Sequence, residues 1–176
     1  MVRMNYLKCF TWCVFAFSIT ACSTAKISTL PISSQATHLV RSIAMAREGG
    51  LLAEAIGIEL ANRGYVIIDS SSTSKLLIRL NMDEFEVSTP QGLDKLKAKG
   101  IDAYLTIKTA GAYDGQIEGA SARATSTHTG RIIAGVSWQN GWGGQAGSIA
   151  DRQMRKGLSE VAQEISTSLA EVLPLY

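Results

Sequence analysis

The sequence is poor in the residues from which most catalytic and metal sites are built. Its 176 residues include three cysteines and two histidines. The cysteines are Cys9, Cys13 and Cys22, so none follows position 22, and His38 and His128 are far apart along the chain. A zinc site needs several nitrogen or sulfur ligands, and an α/β-hydrolase needs a Gly-x-Ser-x-Gly turn, which is absent here. The composition therefore predicts a protein without a metal, a cofactor or a catalytic site.

The chain also lacks the charge excess that a polyanionic partner would require. It has 17 basic and 15 acidic residues. Two of the basic residues, Arg3 and Lys8, precede Cys22, so 17 − 2 = 15 basic residues face 15 acidic ones in the remainder. Because nucleic-acid binding relies on clustered positive charge, we expect no nucleic-acid partner.

The amino terminus has the three-part layout of an export signal. A short basic segment is followed by an apolar run from Cys9 to Ile19 and then by small residues. The run is shorter than the roughly 20 apolar residues that a membrane-spanning helix needs. The segment Ile19-Thr20-Ala21-Cys22 resembles the lipobox of bacterial lipoproteins, which implies that residues 1–21 are a signal peptide. An ordinary cleaved signal that happens to contain a cysteine is the alternative.

The lipobox resemblance also implies how the mature chain is held in the cell. Cys22 would become its first residue and carry acyl chains such as palmitate. Because each buried methylene contributes about 0.8 kcal/mol, several chains together form a stable membrane anchor. Ser23 follows the cysteine where aspartate would favour retention, which implies the outer membrane, facing the periplasm. Residues 22–37, rich in serine and threonine, are predicted to be a lipidated flexible tether, followed by a periplasmic domain at residues 38–176.

Hydrophobic periodicity predicts a single α/β domain with a mixed sheet, in the order β-α-β-α-α-β-β-β-α. The first strand, helix and second strand occupy about thirty residues, which favours a parallel pair. Apolar residues recur every three or four positions from Met154 to Val172, which predicts a long C-terminal amphipathic helix packed on the sheet. The predicted strands are 39–45, 65–68, 101–109, 119–127 and 131–138, and the predicted helices are 51–63, 75–82, 90–99 and 154–172.

Three segments resemble one group of bacterial envelope proteins. They are Leu-Ala-Asn-Arg-Gly-Tyr-Val-Ile-Ile-Asp at 60–69, the helix, Gly100 and Ile-Asp-Ala-Tyr-Leu at 93–105, and Thr-His-Thr-Gly-Arg-Ile-Ile at 127–133. The group comprises the curli-secretion channel subunit CsgG, the penicillin-binding-protein activator LpoB and the amino-terminal domain of TolB. The resemblance implies an assembly or activator role exerted through protein contacts. Pore-forming members carry long hairpins where this chain has a short connection at 112–118, so no channel is expected from this chain alone.

A glycine-rich loop at residues 139–147 carries the first candidate contact residues. We expect no dinucleotide site here, because the loop is followed by a predicted helix and not by a further strand with an acidic residue. Trp138 and Trp142 flank or lie in this loop, where they are candidate aromatic anchors of a protein interface. The alternative is that both tryptophans cover the edge of the sheet.

Two clusters of charged residues are the remaining candidates for a functional site. Arg152 and Arg155, with Lys156 beside them, are candidates for binding an acidic partner, peptidoglycan or a headgroup, and the alternative is a solvated helix face. The acidic residues at 83–86 are the densest carboxylate cluster, and on a polar connection we expect them to be solvated.

These observations lead to one main hypothesis and two alternatives. The main one is a non-enzymatic outer-membrane lipoprotein, anchored through Cys22, that serves as a structural or assembly subunit of a cell-envelope machine such as a secretion system, in a homo- or hetero-oligomeric assembly. The first alternative is a periplasmic activator of a cell-wall synthase. The second is a lipoprotein that binds a small ligand.

Overall fold

The structure is a computed structural model that describes residues 25–30, 39–111, 116–141, 145, 148–173 and 175. These residues form one six-stranded mixed sheet with helices on both sides, which confirms the predicted fold class. The strands are β1 (Lys26–Thr29), β2 (Ser42–Met45), β3 (Val66–Ile68), β4 (Ala103–Gly111), β5 (Ile117–Ser126) and β6 (Ile132–Gln139). The helices are α1 (Gly50–Asn62), α2 (Ser70–Arg79), α3 (Glu84–Val87), α4 (Pro90–Lys97), α5 (Ile149–Met154) and α6 (Leu158–Val172).

The sheet order is β1-β6-β5-β4-β2-β3. Strand β2 runs parallel to both β3 and β4, which confirms the predicted parallel pair, and the other neighbours are antiparallel. Gly64 ends the turn after α1 with φ +99°, and Gly130 closes the β5–β6 hairpin with φ +69°. Both positions favour glycine because a Cβ is disfavoured in the left-handed region.

Helices α1 and α6 cover one face of the sheet, whereas the edge strand β1 remains exposed. Ile56 and Leu60 of α1 and Ile165 and Leu169 of α6 are completely buried against the strands. Burial of each such side chain stabilises the fold by about 1.5–3 kcal/mol. Strand β5 presents alanines to this face, which lets α6 approach closely, so the predicted packing of the C-terminal helix on the sheet is confirmed.

Helices α2, α3 and α4 cover the opposite face across β2, β3 and β4. Leu77, Val87, Leu96 and Ile101 form this second, smaller core, and Tyr104 of β4 packs at its margin. Within the described residues no helix extends over β5, β6 and β1 on this side. We call this uncovered surface the open face, formed by Lys26, Ser28, Thr106, Lys108, Ser121, Arg123, Thr125, Ser137 and Gln139.

Strand β1 corrects the prediction that residues 22–37 are a flexible tether throughout. Lys26–Thr29 pairs with β6, and Ile27 lies opposite Trp138. The Leu30 backbone N–H then donates to the Gly135 carbonyl at 2.9 Å. A Cβ at Gly135 would lie 2.6 Å from Leu30 Cδ1, so a larger residue there would require the Leu30 side chain to move.

The predicted helix at 154–172 is in fact divided into α5 and α6. Gly157 begins α6, and its backbone N–H donates to the Glu160 carboxylate at 3.0 Å. The Lys156 N–H turns aside to donate to Asn140 Oδ1 at 3.2 Å. Asn140, just after β6, therefore supplies a side-chain acceptor that competes with continuation of the helix through Lys156. Among the helices that the structure describes, none is long and apolar enough to cross a membrane.

Candidate functional site

The open face is polar and carries basic side chains. Ser28, Ser137, Ser121 and Lys108 lie side by side in one row across β1, β6, β5 and β4. Arg123 lies in the next row and is exposed. Since antiparallel sheets commonly leave one face in water, the polar residues explain how this half of the sheet stays uncovered without exposing a large apolar patch.

A cleft of about 470 Å³ lies where the open face meets α3 and α4. Tyr104, Thr106 and Thr125 form its floor, and Phe85 and Glu84 of α3 form one wall. The cleft is within the size range of typical ligand sites, roughly 300–1,000 Å³. The cleft is therefore a concave site that adjoins the open face.

Helix α3 holds the wall of the cleft by local hydrogen bonds. The Asp83 carboxylate accepts from the Glu86 backbone N–H at 2.8 Å, and the Glu86 carboxylate accepts from the Asp83 N–H at 2.9 Å. This capping box starts the short helix. The acidic cluster expected to be merely solvated is thus exposed but structural, and it fixes the position of Phe85, which is 87 % exposed.

Tyr104 is 9 % exposed and lines the cleft. In the part of the chain that the structure describes, the hydroxyl makes no hydrogen bond. Burial, with the negative charges of Glu84 and Glu48, raises the pKa of Tyr104 to about 12. The phenol is therefore neutral at physiological pH and keeps its capacity to donate and accept a hydrogen bond.

Charged groups around the cleft are unevenly paired. Glu48 and Lys108 form an exposed ion pair with an Oε2–Nζ distance of 3.9 Å. Glu84 is exposed and takes part in none of the ion pairs between described residues. The cleft as a whole consequently carries a net negative charge, although the surrounding open face is basic.

Asp102 fixes the floor of the cleft from the end of β4. Its carboxylate accepts the backbone N–H groups of Arg41 and Ser42 at 3.0 and 2.9 Å, and it lies 3.4 Å from His128 Nε2. Burial raises the pKa of Asp102, but these hydrogen bonds outweigh it and hold the pKa below its ordinary value. The Thr127 hydroxyl donates to the Ile101 carbonyl at 2.6 Å. These contacts tie β2, β4 and the hairpin turn together.

The structure corrects the expected exposure of Trp138. This side chain is 1 % exposed in the core between the sheet and α6. Its indole N–H donates to Glu164 Oε2 at 2.7 Å. Because side chains alternate along β6, Trp138 faces the side of the sheet that α6 covers. The structure therefore favours the alternative hypothesis, in which Trp138 packs on the sheet.

Arg155 is likewise not on a solvated helix face. Its guanidinium is 9 % exposed and donates to Asp151 Oδ2 through Nη2 at 2.9 Å and through Nε at 3.2 Å. It also lies 3.5 Å from Glu118 Oε1 on β5. Arg155 therefore links the end of α5 to the sheet. The predicted role in partner binding requires an exposed side chain, which Arg155 does not have.

The remaining predicted site residues lie outside what the structure describes. Cys22, His38 and Trp142 fall in undescribed segments, and for Arg152 only the backbone within α5 is described. Their assigned roles stay predictions. Over the described residues, no group of three or more histidine, cysteine, aspartate or glutamate side chains is arranged to hold a metal ion.

Sequence reasoning missed the cleft residues, above all Phe85 and Tyr104. A signal was present for Phe85, because a large aromatic between two glutamates in a polar connection has no core-facing periodicity to explain it. For Tyr104 no local signal exists, since alternation on β4 is compatible with either a buried or a cleft-facing ring.

No protein-family model matches the chain, and no curated protein matches it. Solved structures match the chain over much of its length, with TM-scores below 0.5. A PelC dodecamer from Paraburkholderia phytofirmans has a TM-score of 0.48 and 10% identity, covering 87% of this chain and 99% of that one. A lipoprotein from Neisseria meningitidis has a TM-score of 0.44 and 18% identity, covering 73% and 98%.

The C-terminal domain of LpoB from Salmonella enterica has a TM-score of 0.43 and 16% identity, covering 60% of this chain and 87% of that one. LpoB, one of the proteins that the sequence resembles, is thus among the similar structures. A likeness to CsgG or TolB is not shown. At these identities and TM-scores the matches establish no ligand, partner or role for this chain.

Proposed function

We propose that the protein is a lipid-anchored component of the bacterial cell envelope that acts without catalysis, by binding another envelope protein through the open face and the cleft beside it. One observation carries this proposal. No described helix covers half of one side of the sheet, and this half adjoins a cleft whose wall presents Phe85 at 87 % exposure. An aromatic side chain exposed at the edge of a concave site is a typical energetic centre of a protein interface.

The chemistry of the open face supports a protein partner over a substrate. It offers serine and threonine hydroxyls together with Lys26, Lys108 and Arg123, so hydrogen bonds and charge pairs would be its contacts with a partner. The cleft contains one neutral phenol and exposed carboxylates, without a nucleophile next to a general base. A contact function therefore accounts for these groups with fewer assumptions than a reaction would need.

Two roles suit such a contact protein. It would serve either as an activator of a cell-wall synthase or as an assembly subunit of an envelope machine such as a secretion system. We would test the activator first, because LpoB, which the sequence resembles, is also among the similar structures. The fold similarity itself does not decide between the two roles, but the identity of the partner does.

The anchor is tested by labelling cells with palmitate and separating their membranes. We expect label on the wild-type protein and recovery in the outer-membrane fraction. Cys22→Ser should abolish labelling and release the protein from the membrane, since the acyl chains would be its attachment. Unchanged processing and retention of the variant would contradict the lipid anchor.

The partner is tested by affinity purification of the full chain from native membranes after mild detergent extraction. The proposal predicts recovery of a defined envelope protein. If that partner is a cell-wall synthase, added protein should raise its polymerising activity in vitro. Recovery of the chain solely as a free monomer would contradict the proposal. A stabilising shift in melting temperature with a small molecule would favour the ligand-binding alternative.

A further inference from the structure

We infer that the cleft receives a basic side chain, arginine or lysine, which a partner protein inserts between Glu84, Tyr104 and Phe85. The inference rests on the proposed function, because it states the chemistry by which the same surface would recognise its partner. Three features of the cleft support it, namely its uncompensated carboxylate, its unused phenol and its exposed aromatic ring.

The carboxylate is the first feature. Glu84 is exposed at the start of α3 and forms no ion pair among the described residues, whereas Glu48 has Lys108 at 3.9 Å. Both acids line the same cleft as Tyr104. A cation entering the cleft would thus meet one carboxylate that is already close to a lysine and one that is not. Glu84 is the group that would bind it.

The phenol is the second feature, and it is independent of the acidic groups. Tyr104 is 9 % exposed, lines the cleft, and makes no side-chain hydrogen bond to any described residue. Its hydroxyl oxygen is not one of the fully buried unpartnered atoms of the described residues, so it remains accessible to a hydrogen-bond partner from outside the fold. A guanidinium or ammonium can donate to this oxygen while it pairs with Glu84.

The aromatic wall is the third feature. Phe85 is 87 % exposed, and the capping box around it holds α3 in place. A cation over the face of an aromatic ring is attracted by the ring quadrupole. The methylene groups of an arginine or lysine would meanwhile contact Leu93 and Val87, which also line the cleft. An acidic or neutral side chain would leave Glu84 without compensation.

The test uses the full-length protein in detergent micelles, and amide chemical shifts are measured by NMR. The probe is the peptide acetyl-Ala-Ala-Arg-Ala-Ala-amide, and the matched control replaces arginine by uncharged citrulline. We expect the arginine peptide to shift the amide signals of Phe85, Tyr104 and Thr106, and the citrulline peptide to bind about fivefold more weakly. Equal responses to the two peptides, or shifts confined to other residues, would overturn the inference.

Variants sharpen the test in both directions. Glu84→Gln and Tyr104→Phe should each weaken arginine binding about fivefold, because each removes one interaction with the cation. Lys108→Gln should strengthen it, since a competing cation is removed. Glu171→Gln, an exposed change on α6 behind the covered face, should leave it unchanged. A loss in Glu171→Gln as large as in Glu84→Gln would show a general charge effect and overturn the inference.

Partner capture separates this inference from the proposed function. If an envelope partner is recovered by the wild type but not by Glu84→Gln, the inference is supported. If Glu84→Gln and Tyr104→Phe recover the partner as well as the wild type does, the cleft does not bind it, and the inference fails while the proposed function stands. Peptide binding that depends on Glu84, with no partner recovered from membranes, would contradict the proposed function and, with it, the inference that a partner protein supplies the cation.

Discussion

Replacing Arg155 by alanine tests most sharply whether this residue has a structural role or a partner-binding role. Its guanidinium is 9 % exposed and contacts Asp151, whose side chain is 0% exposed, at 2.9 Å. Removing one partner of a buried ion pair costs about 3–5 kcal/mol, because the other charge remains buried. We expect Arg155→Ala to lower the free energy of unfolding by about 3 kcal/mol, the lower limit of this range, because truncation lets water reach the site. At this chain length such a loss lowers the melting temperature by roughly 6–12 °C.

The assay is urea unfolding followed by circular dichroism. The control is Lys156→Ala, which removes the ion pair with Glu164, where the side chains are 24% and 28% exposed, and should cost about 0–1 kcal/mol. The double variant Arg155→Ala with Asp151→Ala should be less destabilised than Arg155→Ala alone, because the buried carboxylate is also removed. A loss of less than about 1 kcal/mol in Arg155→Ala, together with loss of partner recovery, would refute the structural role and restore the binding one.

Three further predictions concern the core, the floor of the cleft and its wall. Trp138→Ala should lower the free energy of unfolding by about 3–5 kcal/mol, measured in urea, because the ring is buried; a change near zero would contradict its burial. Asp102→Asn should destabilise the protein at neutral pH. Because the folded pKa of Asp102 is depressed, its contribution is present above the ordinary carboxyl pKa of about 3.9 and is lost as pH falls through the folded value, so the difference in stability between the two proteins should shrink as pH falls below about 3.9. A pH-independent difference would exclude the carboxylate as its origin. Gly92→Ala would place a Cβ 1.9 Å from the Glu86 carbonyl oxygen, so it should displace α4 from α3 and cost at least about 1–3 kcal/mol in thermal unfolding; an unchanged melting curve would contradict this packing.

The sequence was sufficient where local periodicity and burial agree. The stripe along α6 and the glycine turn at Gly130 identify the C-terminal helix and the β5–β6 hairpin directly, because each depends on its own residues. Strand β1 could not be found in this way. Its four residues are exposed and acquire extended structure by pairing with β6, which is more than 100 positions away in the chain.

The site was less predictable than the fold for a related reason. The cleft combines Phe85 from α3 with Tyr104 and Thr125 from two strands, and the sequence does not state which side of the sheet α3 and α4 cover. Arg155 was misjudged although its partner lies four residues earlier on the same helix turn, a spacing at which opposite charges meet. The sequence shows this spacing, but it does not show that the pair is buried.

Photo-crosslinking in living cells tests the central claim most directly, since it asks whether the surface beside α3 touches another envelope protein. We would place p-benzoylphenylalanine at position 85 on the cleft wall and, as the control, at position 171 on α6. The account predicts a discrete adduct with an identified envelope protein from position 85 and none from position 171. Equal labelling from both positions, or no adduct from position 85 in a protein that is folded and membrane-bound, would contradict it.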